Sequence, residues 1–134
     1  MTEEWRAVPN YEGLYEVSDQ GRVRSLERSV LTSHGVVRRY RGRLLRPTTL
    51  TGYHLVGLSK EGQQEHIFVH RLVAFAFCDK PLHYQIQINH KNGIKSDNRP
   101  INLEWASRSE NMQHAVKAGL HVPHKQTSLN KVFV

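Results

Sequence analysis

The chain of 134 residues carries one cysteine, Cys78. A lone cysteine excludes a disulfide framework, and the spacing of Cys78 to the histidines around it matches no structural zinc site. Apolar residues make up 38% of the sequence, and no apolar run approaches the ~20 residues needed to span a membrane. The first ten residues, MTEEWRAVPN, lack the basic-then-apolar order of a secretory signal. These absences point to a cytoplasmic protein with no membrane partner. The length allows one compact domain or two small modules sharing a core. Two more shortages concern charge. No lysine occurs before Lys60, and between Arg22 and Arg46 the single acid is Glu27.

What fills that stretch is arginine, at positions 22, 24, 28, 38, 39, 41, 43 and 46. The net charge is +7 with histidines neutral, and the sequence pI is about 9.9. Such a balance suits a polyanionic partner. Guanidinium presents a rigid fork that matches phosphates and guanine edges, which an ammonium does not. A charge run is commonly only a solvated face. The motif downstream, described below, turns the choice towards duplex DNA, with Arg22, Arg24, Arg28, Arg38, Arg39, Arg41, Arg43 and Arg46 as contacts, joined by Lys91 and Lys95.

Taken in order, residues 3–28 predict a β-hairpin. Leu14–Val17 and Arg22–Leu26 are its strands, and Ser18-Asp19-Gln20-Gly21 supplies the turn. Val17 and Val23 face inward, Arg22 and Arg24 lie on the other face, and Trp5, Tyr11 and Tyr15 form a small core beneath. Residues 29–50 are less periodic, with Ser33-His34-Gly35 as a turn between two edge segments or within a loop. Tyr53–Leu58 and Glu65–Val69 predict a second hairpin, and His70–Phe77 a helix packed on it. His70 reads as structural.

The stretch from Ile88 to Asn111, INHKNGIKSDNRPINLEWASRSEN, predicts strand, wide loop, short strand and helix. Ser107 and Glu110 stand in capping-box spacing at the helix start, and Gly119 suits its C-cap. From the helix, Asn111 can reach back towards His90 at the strand end. Cleaving a phosphodiester needs a base for the attacking water and positive charge on the phosphate. An imidazole suits the first task. A divalent cation on oxygen ligands suits the second. Asn89 and Asn111 offer amide oxygens, with phosphate and water completing the shell, and Asn102 can hold the other nitrogen of the His90 ring. Taken singly, each of these residues is more often structural. Their order and spacing carry the functional reading.

The string Asn89-His90-Lys91, Gly93, Lys95, Asn98, Asn102-Leu103-Glu104-Trp105 and Ser109-Glu110-Asn111 resembles the HNH nuclease motif, in the H-N-N form of phage and intron-type homing endonucleases. Val69-His70-Arg71-Leu72-Val73-Ala74 and Phe77 resemble the segment that precedes it. Trp5, Tyr11-Glu12-Gly13, Tyr15, Val17-Ser18, Gly21-Arg22-Val23 and Ser25-Leu26 resemble the N-terminal nuclease-associated modular domain of such proteins. The resemblance implies an α+β fold, with N-terminal antiparallel hairpins (residues 1–52) followed by an HNH domain (53–119). The ββα-metal core of that domain lies at about 86–118, and a basic tail occupies 120–134. It implies His90 as general base, Asn102 as the residue that orients it, Asn89 and Asn111 as ligands of one divalent metal, and a phage or intron origin in a bacterial host cell. Mg²⁺ or Mn²⁺ is expected, with Zn²⁺ ranked behind them. Asn89 stands where an aspartate is common, so metal binding is expected to be weak until DNA joins the shell. A monomer would nick and a homodimer could break both strands. The first rival is a DNA-binding protein with a decayed site, and an RNA-directed or structural protein ranks behind it.

Overall fold

The computed structural model describes residues 2–117, and for 115–117 the backbone alone. The expected C-cap at Gly119 and the basic tail lie outside the described residues. The elements are β1 (Trp5–Ala7), β2 (Tyr15–Ser18), β3 (Val23–Ser25), β4 (Arg28–Leu31), β5 (Val37–Tyr40), β6 (Arg43–Leu44), β7 (Thr48–Leu50), β8 (Tyr53–Lys60), β9 (Gln63–Phe68), α1 (Val69–Phe77), β10 (Gln87–His90), β11 (Leu103–Ala106) and α2 (Arg108–Lys117). All pairings are antiparallel, and with the two helices they make an α+β fold.

The N-terminal hairpin is the centre of a four-stranded sheet in the order β1-β2-β3-β6. The sequence pattern missed β6, a two-residue strand that returns from the arginine stretch to pair with β3. Val17 and Val23 face inward as expected, and Tyr11 and Tyr15 are buried with them. Trp5 is not part of that core. It lies half-buried on β1 with the Arg24 guanidinium 4.0 Å from its ring centroid, because alternation turns it towards the charged face. Residues 28–40 form a separate two-stranded ribbon, β4–β5, whose connection carries Gly35 at φ 76°. In the second hairpin, Glu61 and Gly62 both take positive φ between paired Lys60 and Gln63, the geometry of a tight primed turn.

One core runs through both halves of the chain. Val8, Tyr11, Tyr15, Val17 and Val23 belong to the same buried cluster as Val56, Leu58, Val69, Leu72, Val73, Ile88 and Leu103. The Tyr15 hydroxyl also accepts a hydrogen bond from the Ser59 amide at 2.9 Å. Leu58 is wholly buried at this junction. Leu58→Ala is therefore expected to cost ~2–5 kcal/mol and to loosen both halves together. Denaturant unfolding of Trp5→Phe and Trp105→Phe proteins, each with one reporter tryptophan, checks this. Coincident transitions are expected, and separate ones would mean two independent cores.

Candidate active site

β10 and β11 pair with Gln87 opposite Ala106, Ile88 opposite Trp105, Asn89 opposite Glu104 and His90 opposite Leu103. Side chains alternate along each strand. Ile88, His90, Leu103 and Trp105 thus share the face packed on α1, where Phe75 meets Trp105 edge-on at 5.0 Å. Gln87, Asn89, Glu104 and Ala106 share the face towards α2. That helix begins with the expected capping box: Ser107 Oγ accepts from the Glu110 amide at 3.0 Å, and Glu110 Oε1 accepts from the Ser107 amide at 2.9 Å. The cap fixes the first turn and with it the direction of Asn111.

His90 is 6% exposed. Its ring stands edge-on to His70 at 5.1 Å and beside Tyr53 at 5.7 Å. Burial pushes its pKa below the ordinary histidine value, opposed by the hydrogen bond to Asn98, so the ring is neutral and able to accept a proton near pH 7. Nε2 lies 2.8 Å from Asn98 Oδ1. An amide oxygen only accepts, so this contact is a hydrogen bond in the tautomer with hydrogen on Nε2 and the lone pair on Nδ1.

The expected contact between Asn102 and the His90 ring is corrected here. Asn102 lies on the single helical turn before β11, and its carboxamide closes the β10–β11 loop instead. Its Oδ1 accepts from the Asn92 amide at 3.0 Å, and its Nδ2 donates to the Asp97 carbonyl at 2.8 Å. Asp97 is clamped by Arg99 and Asn92, and the Arg99 guanidinium holds its carboxyl well below the usual carboxylate range. Asn111 also differs from expectation. Its Nδ2 donates to Gln87 Oε1 at 3.3 Å, because Gln87 lies on the α2 face of β10 and His90 on the other.

Asn89 donates Nδ2 to Glu104 Oε1 at 2.8 Å. With both amide nitrogens engaged, the Oδ1 atoms of Asn89 and Asn111 are the ends able to ligate a cation. Among the described residues no group of three or more His, Cys, Asp or Glu is placed to hold a metal. The donors on this face are hard oxygens, of the kind that Mg²⁺ or Mn²⁺ takes, and the Glu104 carboxylate lies beside the Asn89 amide. Glu104 and Asn98 are the two residues that sequence reasoning gave no role. The register on β10 and β11 would have found Glu104, but no periodicity points to Asn98.

The basic residues separate into engaged and open ones. Arg22 pairs with Glu3, Arg24 with Glu16 at 2.6 Å, and Arg39 with Glu27 at 3.3 Å. Lys95 donates to the Thr51 carbonyl at 3.0 Å and lies over the Tyr53 ring. Arg38, Arg41, Arg43 and Arg46 are exposed, as is Lys91, and none forms an ion pair among the described residues.

His70 is buried, with Nδ1 lacking a partner among the described residues. Burial first, then the neighbouring His90 and Arg71, push its pKa from 6.5 down to about 3. The unfolded chain takes up this proton at a higher pH than the folded one, so the stability tied to neutral His70 is complete above pH 6.5 and lost as pH falls towards 3. Between about pH 7 and about pH 5 the wild type is expected to lose on the order of 2 kcal/mol more than His70→Phe. Urea unfolding at the two pH values measures the difference, and equal losses would contradict it.

Comparison with known proteins bears on the family. The NUMOD4 motif matches residues 3–59, reaching into β8, and an HNH endonuclease model matches residues 68–113. DNA endonuclease I-HmuI of Bacillus phage SP01 is 30% identical over 131 residues, covering 96% of this chain and 67% of I-HmuI. The uncharacterized HNH endonuclease L245 of Acanthamoeba polyphaga mimivirus is 32% identical over 90% of this chain and 32% of its own length. A solved structure of I-HmuI, described as DNA binding and cleavage by this HNH homing endonuclease, superposes with a TM-score of 0.73 at 31% identity, covering 96% of this chain and 67% of that one. With a NUMOD4 motif ahead of an HNH segment and this likeness along almost its whole length, the chain belongs to the HNH endonuclease family.

Proposed function

We propose that the chain is a metal-dependent homing-type endonuclease that hydrolyses phosphodiester bonds in duplex DNA. The observation that carries this reading is the division of labour on β10, in a chain similar to a DNA-cleaving relative. A neutral imidazole lies on one face, and on the other lie two carboxamides whose nitrogens are already engaged. A phosphodiester brought to the end of this strand would meet both. His90 Nδ1 takes the proton from the attacking water, while Nε2–H stays on Asn98. Asn89 and Asn111 would hold Mg²⁺ or Mn²⁺ through Oδ1, with Glu104 fixing the Asn89 amide. When bound, the ion polarises the phosphoryl group and stabilises the departing oxygen. Asn102 keeps the loop that carries Asn98 closed.

A two-stranded ribbon such as β4–β5 can enter a DNA major groove. It carries Arg28, Arg38 and Arg39, and Arg41, Arg43 and Arg46 follow. Arg22, Arg24, Arg39 and Lys95 contribute less, because the partners described above already hold them. The work would be done in the bacterial host cytoplasm. One site per chain gives a nick, and a dimer would permit a double-strand break.

Supercoiled plasmid incubated with Mg²⁺, Mn²⁺ or EDTA tests the reaction. Metal-dependent nicking or linearisation is expected, slowed ~10²- to 10⁴-fold in His90→Ala with DNA affinity kept. A wild type that shifts the plasmid but never cuts it would favour DNA binding with an inactive site. Replacing Arg38, Arg39, Arg41 and Arg43 together by Ala is expected to flatten the salt dependence of DNA binding, by a slope of ~0.9 for each phosphate no longer neutralised. An unchanged slope returns the ribbon to a solvated role.

A further inference from the structure

A general base works only if its lone pair is aimed and its tautomer fixed. The family motif offers Asn102 for this, yet Asn102 is committed to the loop. The buried carboxamide that faces the ring is Asn98, 3% exposed, with Oδ1 2.8 Å from His90 Nε2. Resting on the endonuclease reading above, we infer that Asn98 is the positioning residue that holds His90 as the Nε2–H tautomer. The β2–β3 turn of the N-terminal sheet is its backing.

Three observations carry this. First, the carboxylate nearest in sequence, Asp97, points away into Arg99 and Asn92, so the acceptor that meets Nε2 is neutral. A neutral acceptor orients an imidazole without pairing it as an imidazolium.

Second, Asn98 Nδ2 is buried with no partner among the described residues. A buried amide with an unsatisfied donor is a poor choice for packing alone. Its oxygen, in contact with His90, is the part of the side chain that accounts for it.

Third, Asn98 is backed from the other half of the chain. At Gly21, where φ is +78°, an added Cβ would lie 3.0 Å from Asn98 Cβ and 3.5 Å from its carbonyl oxygen. The turn that brings Gly21 there is closed by its own hydrogen bonds. Ser18 Oγ accepts from the amides of Gln20 and Arg22, both at 3.1 Å, and the Gly21 amide donates to the Ser18 carbonyl at 3.0 Å. The next residue, Arg22, is one of the arginines expected on the DNA side. The N-terminal sheet therefore abuts the residue that aims the base.

The test reads the ring directly. Two-dimensional ¹H–¹⁵N spectra of the histidine rings, taken without metal or DNA, distinguish the two neutral tautomers of His90. The wild type is expected to show a protonated Nε2 and an unprotonated Nδ1. Asn98→Ala, and Asn98→Leu as a variant that refills the volume, are expected to show mixed tautomers. Asn98→Asp, which keeps an acceptor, is expected to restore Nε2–H. In parallel, plasmid cleavage by Asn98→Ala or Asn98→Leu is expected to slow about 10- to 100-fold at unchanged DNA affinity, with partial recovery in Asn98→Asp. A wild-type His90 protonated on Nδ1, or folded Ala and Leu variants that keep both the tautomer and the cleavage rate, would overturn the inference. If the tautomer follows Asn98 but even the wild type fails to cut DNA, the positioning stands and the endonuclease reading fails.

Discussion

The alternation of side chains along the four residues of β10 is the constraint on which the site depends. Adjacent residues of a strand point to opposite faces, so Asn89 and His90 cannot share an environment. Asn89 falls under α2, among oxygen donors. His90 falls against α1, beside the rings of His70 and Tyr53. The chemistry proposed here needs that separation, because a base beside a divalent cation would have its lone pair taken by the metal. A shift of the β10–β11 register by one residue would exchange the two faces. The register is held by Ile88 and Leu103, which are buried in the common core.

That core also explains why the N-terminal sheet is more than an attached arm. Tyr15 reaches Ser59, Gly21 abuts Asn98, and Arg6 donates to the Ala76 carbonyl at the end of α1 at 2.7 Å. The β4–β5 ribbon is the opposite case. Val37 to Tyr40 are exposed along the whole strand, and Leu31, Val36 and Val37 are more than half exposed. The ribbon's exposed arginines carry the charge that the proposed DNA contact would use. One buried core joins the N-terminal sheet to the site, and the β4–β5 ribbon pairs only with itself.

Much of this is legible in the sequence, and the reasons differ by element. The hairpins announce themselves through Gly21, Glu61-Gly62 and alternating valines, and α1 through its apolar period. The capping box fixes the start of α2 from Ser107 and Glu110 alone. Local signals end where a side chain chooses among several partners. Asn98 and Asn102 are both asparagines of one loop, and sequence cannot say which meets His90. Only the fold of that loop, with Asp97 drawn to Arg99, turns Asn98 inward. Helical spacing puts Asn111 on the face towards β10, but strand alternation gives it Gln87 rather than His90. Large aromatics usually go to the core, which is why the sequence suggests that place for Trp5, and the arginine over its ring accounts for the exception. Arg22 and Lys95 look open in the sequence because the Glu3 carboxylate and the Thr51 carbonyl that hold them are distant along the chain, whereas Arg24 meets Glu16 across its own hairpin.

The proposed placement of the ion on the α2 face of β10, with the base on the α1 face, can be measured without relying on cleavage. Mn²⁺ would be titrated into a complex of the His90→Ala protein with duplex DNA, and the side-chain NH₂ signals of every asparagine followed by NMR. The strongest paramagnetic broadening is expected at Asn89 and Asn111, with Asn98 and Asn102 less affected. Broadening centred on Asp97 and the loop, or none at any asparagine up to saturating Mn²⁺, would contradict this placement.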